Sequence, residues 1–366
     1  MVPAGRDGKR CAARVRPSAR LCAGGQRDET PRVGPALRRI GHVLLRAVGV
    51  LFGLWAGLAV SFDGPASRPL AGLLAAAVVG ACLLPLLRPR RGSRGTALAL
   101  LAPLGVLAWW LTLEPRNDRD WQRDVARTPV VERHGDSITV RDVRDFRYRT
   151  ETDYEERWET RRYDLAMLRG VDLFLSYWGP TLIAHTILSW DFGDGHPLAV
   201  SIETRKEKPE SYSAVRGFFR QYELVYVAAD ERDVVRLRTS FRGETVFLYL
   251  LTARPEAARA LLLQYAEAMN ALAVRPAWYN AATQSCTTTI FRNVKVIAPS
   301  TRFDWRLLAN GRLDELAYAR GTVDTSLPFR ELRARSDVTA RAKACTDRDD
   351  FSDCIREGLP RPAGRR

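Results

Sequence analysis

Three apolar runs follow one another near the start of the chain and limit what it can fold into: Ile40–Phe62, Leu70–Leu87 and Ala97–Leu113. A helix rises about 1.5 Å per residue, so runs of roughly 17–23 residues suffice to cross a hydrocarbon core of about 30 Å. Within them only Arg46 carries a full charge, in the first two turns, where its stem lets it snorkel toward headgroups. Gly53, Gly57, Gly72 and Gly80 permit close helix approach. The pattern predicts three transmembrane α-helices over 40–62, 70–87 and 97–113. The competing reading, buried helices of a soluble core, fits the short, charge-biased connections poorly.

Charge sharpens this reading. The 366 residues carry a formal net charge of +15. Residues 1–96 hold 16 Lys and Arg against four acids, a net of +12, which leaves +3 for everything after. Ten basic residues precede the first run, Arg68 alone lies in the first connection, and Arg88, Arg90, Arg91 and Arg94 lie in the second. Basic loops stay cytoplasmic, so the N-terminus is expected inside. Everything after about residue 115 is expected outside the cytoplasmic membrane, in a multi-pass membrane protein. Trp109 and Trp110 suit an interfacial belt at the outer end of the third run. Residues 1–39 read as a basic, disordered cytoplasmic arm or an over-extended start; a cleaved signal peptide fits badly, since the apolar run begins so late. No nucleic-acid partner is expected, because no aromatic residues interleave the basic segment and it flanks apolar runs.

The chain thus divides into the arm (1–39), a membrane anchor (40–114), an exported domain (115–330) and a C-terminal extension (331–366). The exported part has an α+β texture. Ser137–Arg147 alternates like a strand with one wet face. Gly170–Trp178, Thr181–Trp190, Leu198–Thr204, Glu223–Ala229 and Thr245–Leu251 read as further strands. Pro255–Val274 reads as a helix, with Pro255 at its start and Leu261, Leu262, Tyr265, Met269 and Leu272 at helical spacing. The charge-dense run Ala229–Arg232, with Asp233, Arg236 and Arg238, reads as a solvated strand edge or helix entry.

Of six cysteines, Cys345 and Cys354 stand nine positions apart in a polar tail and are expected to pair in an oxidising compartment. Cys286 is then a free exported thiol. It lies in SCTTTIFRNV, where Ser and Thr can cap a helix that starts at or beside it. His185 stands in LIAHTILSW, a strand of apolar residues. Either residue alone is more often inert. Together they have the composition of thiol catalysis, a Cys at a helix N-terminus with a His from an adjoining strand as base. A third polar group usually orients such a His. Ser201 and Glu203 share one face of the next strand, and Glu203 is slightly preferred because its charge suits an imidazolium; pairing with Arg205 or Arg238 is the structural alternative. No CxxC, HExxH, Walker or dinucleotide glycine pattern occurs, so no metal and no cofactor is expected.

A resemblance joins these residues. VRDFRYRTETDYEERWETRRYDL (Val143–Leu165), IAHTILSW (Ile183–Trp190), LAVSIETRKEKPE (Leu198–Glu210), YELVYVAADERDVVRLRT (Tyr222–Thr239) and WYNAATQSCTTTI (Trp278–Ile290) resemble the exported domain of the Lnb family. These are bacterial membrane proteins similar to lipoprotein intramolecular transacylases and to permuted papain-like thiol enzymes of the NlpC and lecithin–retinol acyltransferase kind. The resemblance runs from about Trp121 to Tyr318, with Ser285 where the family pattern has Asn. It implies that the three transmembrane helices read from the apolar runs are followed by a permuted papain-like α+β domain with an antiparallel sheet, with His185 as base and Cys286 as nucleophile.

The expected function is therefore a membrane-anchored thiol acyltransferase or transacylase, acting on ester bonds of membrane lipid or lipoprotein through a Cys–His dyad outside the cytoplasmic membrane. Two readings compete with it: a cell-wall peptide amidase or peptidase of the NlpC type, and a non-enzymatic envelope scaffold in which Cys286 is merely buried.

Overall fold

A computed structural model describes residues 35–87 and 92–365. The expected arm lies outside these residues up to position 34, and Cys11 and Cys22 with it. Three helices open the described chain: α1 (Pro35–Asp63), α2 (Arg68–Leu87) and α3 (Gly92–Leu111). They pack together, with Cys82 and Ala99 buried between them. At Gly53 the fit is close enough that a Cβ would lie 2.5 Å from the Cys82 sulfur.

The expectation of three spanning helices is corrected here. Among the described residues one helix, over Val43–Asp63 with a mean hydropathy of 2.1, is long and apolar enough to cross a membrane. The apolar parts of the other two, Arg68–Leu84 and Ala99–Leu111, are shorter. At about 1.5 Å per residue they reach roughly 25 and 20 Å, less than the hydrocarbon core. Composition marked the runs as apolar, but α2 opens on Arg68 and α3 on a stretch with Ser93, Arg94 and Thr96, and the apolar helical parts fall short of a span. The multi-pass topology falls with this expectation.

The remainder is a mixed sheet between two helical layers. The strands are β1 (Val130–His134), β2 (Ser137–Arg144), β3 (Arg147–Tyr148), β4 (Tyr154–Glu155), β5 (Trp158–Asp164), β6 (Gly170–Tyr177), β7 (His185–Asp191), β8 (Leu198–Arg205), β9 (Glu223–Asp230) and β10 (Thr245–Leu250). Among the described residues eight of these form one sheet, in the order β1-β2-β9-β8-β7-β6-β10 with β5 also on β2. All pairs are antiparallel except β2 with β9, which meet in parallel at Arg144 and Ala229; β3 and β4 form a separate ribbon. Strands β6 to β9 are buried almost throughout, as a sheet covered on both faces requires.

One face carries the long helix α5 (Pro255–Val274) and α6 (Cys286–Ile297). From α5, Leu262, Tyr265 and Met269 are wholly buried. Trp190 meets the Tyr265 ring edge-on at 5.0 Å and donates its indole N–H to the Ala258 carbonyl at 3.0 Å. The other face carries α4 (Glu231–Arg236) and the C-terminal helices, which follow α7 (Leu313–Ala319) and α8 (Phe329–Arg335): α9 (Thr339–Ala344) and α10 (Phe351–Arg356). Val338, Phe351 and Ile355 fill that layer, and a disulfide joins Cys345 to Cys354.

The charge-dense run after β9 is not solvated. Asp230 caps α4, accepting from the Arg232 N–H, but Glu231, Asp233 and Arg238 are buried. Arg356 of α10 reaches both Glu231 (2.6 Å) and Asp172 (2.7 Å), while Arg144 grips Asp233 at 2.7 Å. Charge density in the sequence signals exposure; for Glu231 and Asp233, partners more than 80 residues away make burial possible.

Candidate active site

The site forms where β7 and β8 meet the start of α6. β7 begins at His185, and the pairing of Ile187 with Ser201 carries His185 opposite Glu203 when the register is continued. Alternation then puts Ser201 and Glu203 on one face of β8. The connection before β7 is pinned at Gly311, where a Cβ would sit 2.1 Å from the Thr181 carbonyl oxygen, so only glycine permits the approach.

Cys286 is the first residue of α6, and Ser285 is the cap before it. The Ser285 hydroxyl accepts from the Thr288 N–H, and the Thr288 hydroxyl accepts from the Ser285 N–H at 2.8 Å, a reciprocal capping box. The thiol therefore sits at the positive end of a 12-residue helix, where an anion is favoured.

Around the thiol a polar chain assembles. His185 Nε2 lies 2.6 Å from the Ser201 hydroxyl and 3.2 Å from Glu203 Oε1. Ser201 donates to Glu203 Oε1 at 2.6 Å, so it is free only to accept from the ring, which puts a proton on Nε2. Arg238 donates to the same carboxylate oxygen at 2.9 Å. Glu203 thus serves His185 and Arg238 together. Arg205 goes elsewhere, to the carbonyls of Val125 and Ala126.

Electrostatics couples the pair. Burial, the largest single influence, pushes the His185 imidazolium down, and the Glu203 charge is the first of several effects that together more than offset it. Hydrogen bonds to Cys286 and Glu203 add to this, Arg238 opposes it, and His185 ends raised to about 9. Burial likewise pushes the Cys286 thiol up. The hydrogen bond and charge of His185 win, helped by the Thr287 hydroxyl and the Thr186 N–H, and hold it below its ordinary value. Glu203, which burial would raise, is held well below the usual carboxylate range by His185 and Arg238. Cys286 is 7% exposed and the His185 side chain 13%, so the pair lies just beneath the surface.

All four residues expected from the sequence meet here. A fifth, Asn310, was not expected. Its amide Nδ2 lies 3.6 Å from the Cys286 sulfur and donates to the Thr287 hydroxyl at 2.8 Å, while Oδ1 accepts from the Ala184 N–H at 2.9 Å. It links the Cys helix to the entry of the His strand. In the sequence Asn310-Gly311 signals only a turn.

Comparison with known families adds a match over part of the chain. Residues 154–311 match the family model described as the Lnb N-terminal periplasmic domain. His185, Ser201, Glu203, Cys286 and Asn310 all fall inside the matched segment. No curated protein and no solved structure matches the chain, so the permuted papain-like arrangement finds no counterpart, and the mixed sheet order given above describes the fold. Over residues 154–311 the chain carries a domain of the Lnb N-terminal periplasmic family.

Proposed function

We propose that the protein is a thiol acyltransferase, anchored by α1, that acts on ester bonds of lipids or lipoproteins outside the cytoplasmic membrane. One observation carries this: a thiol at a helix N-terminus is coupled to a histidine that Ser201 and Glu203 orient. His185 accepts the thiol proton, and the resulting sulfur anion attacks the ester carbonyl. The carbon–oxygen bond breaks, and the alcohol leaves with the proton held by His185. A thioester on Cys286 remains. An amine then attacks it, passes its proton to His185, and departs as the amide with the thiol restored. The Cys286 N–H and the Asn310 amide are the donors placed to stabilise the tetrahedral oxyanion of both steps. The family match supports an envelope setting, and the lipoprotein substrate follows from the resemblance to transacylases.

The test is mass spectrometry of lipoprotein N-termini from a deletion strain carrying wild type, Cys286→Ala or His185→Ala. Wild type is expected to restore acyl placement and both variants to fail at wild-type protein levels. Complementation by both variants refutes thiol chemistry; unaltered lipoproteins with altered cell-wall fragments refute the substrate class and leave an amidase.

A further inference from the structure

The end of α1 is built into the domain at one loop. Asp63 accepts from the Arg220 N–H at 3.2 Å, from the Gln221 amide at 2.8 Å and from the Trp110 indole at 2.7 Å. The Phe62 ring packs on Phe219 at 5.1 Å. Arg216 stacks over Phe62 and Arg220 over Trp110, at 5.9 and 4.3 Å.

The same loop, between β8 and β9, turns three apolar side chains to the outside: Tyr212, Val215 and Phe218 are 46%, 55% and 50% exposed. They are held there, not loose. Gly217 donates its N–H to the Ser213 carbonyl, and Ser213 donates its own to the Tyr222 hydroxyl at 3.0 Å. An ordered apolar cluster flanked by arginines, next to the last residue of a helix able to cross a membrane, has the composition of a surface seated in the interfacial region of a bilayer.

We infer that Tyr212, Val215 and Phe218 insert into the leaflet at which α1 ends, so the domain lies against the membrane through this loop. The loop also reaches the site. The Gly217 carbonyl accepts from the Ala281 N–H at 2.7 Å, and the Phe218 carbonyl accepts from the Asn280 amide at 3.3 Å. Ala281 precedes Cys286 by five residues. Docking therefore fixes the thiol near the membrane surface. The inference rests on α1 crossing a bilayer and not on the thiol chemistry.

The control position is Met167, which is 53% exposed and follows β5 at the far end of the sheet. From the Ser176–His185 pair to the Gly170–Asp191 pair, β6 runs about 20 Å away from the site. The experiment places the photoreactive residue p-benzoylphenylalanine at position 218, 167 or 54 of the full chain in phosphatidylglycerol–phosphatidylcholine nanodiscs. Position 54 lies on α1. Irradiation is expected to give lipid adducts at 54 and 218, the latter at least tenfold above 167. Adducts at 54 without 218, or adducts at 218 and 167 alike, overturn the docking. No adduct at 54 overturns the membrane placement of α1 and the docking with it, while leaving the acyltransfer reading to its own test.

Discussion

At the scale of single residues, the site is a matched pair of opposed shifts. A thiol held below its usual value and an imidazole raised to about 9 are charged together over a window, bounded on the acid side by Cys286 and on the alkaline side by His185. Alkylation of Cys286 by iodoacetamide, followed by mass spectrometry of its peptide, is expected to show a midpoint below 9. His185→Ala removes the group that offsets burial, so the midpoint is expected to rise above 9 and the rate at pH 7.5 to fall by about tenfold for each unit. An unchanged midpoint would show that His185 does not act on the sulfur. Asn310 is tested separately. Asn310→Ala removes a donor beside the sulfur and is expected to lower kcat by about 10²-fold with little change in KM. It also orphans the buried Ala184 N–H, at a cost of about 1–3 kcal/mol measured by urea unfolding.

How much of the site could be read in advance follows the distance between its parts. His185, Ser201 and Glu203 lie on two consecutive strands, where alternation and a short connection place them together. Cys286 was reached through its capping residues and the family resemblance. Asn310 opens a single 3-10 turn (Asn310–Arg312) packed against the β6–β7 connection, too short for any periodicity to mark it. The sequence offers Arg238 as an alternative partner of Glu203; in the structure it binds Glu203 alongside His185.

At the scale of elements, periodicity served well where it is strong. The helix Pro255–Val274 and the strands that open at Gly170, Leu198, Glu223 and Thr245 lie where the apolar spacing put them. It misled where composition stood in for length, as in the second and third apolar runs. It also misled where charge stood in for exposure, as at Asp233, because burial there depends on Arg144, which lies 89 residues away. The entry to α6 carries a prediction of its own. Ser285→Ala removes the side-chain half of the capping box and is expected to cost about 1 kcal/mol in chemical denaturation. Ser285→Asn keeps a capping oxygen and is expected to change stability by only a few tenths of a kcal/mol. A loss of alkylation rate in Ser285→Ala beyond that of Ser285→Asn would show that the cap also holds the thiol in place.

At the scale of the whole molecule, the family match stops at residue 311 but the core does not. The second face of the sheet is completed by Val338, Ala342, Phe351, Ile355 and Leu359. Arg356 is the pin, wedged between Asp172 of β6 and Glu231 of α4. Arg356→Ala leaves two buried carboxylates without their shared cation and is expected to cost about 3–5 kcal/mol by urea unfolding. A loss below about 1 kcal/mol would mean that water or Arg365, which also pairs with Asp172, replaces it.

The disulfide and the free thiol belong to opposite faces of that sheet: Cys345 and Cys354 lie in the layer with Arg356, Cys286 in the layer with Tyr265. Thiolates and disulfides trade sulfur atoms only on contact. A free thiol held beside a cystine could exchange with it and scramble the cross-link. The intervening strands prevent this, working as an insulating wall between free sulfur and cross-linked sulfur within a single fold.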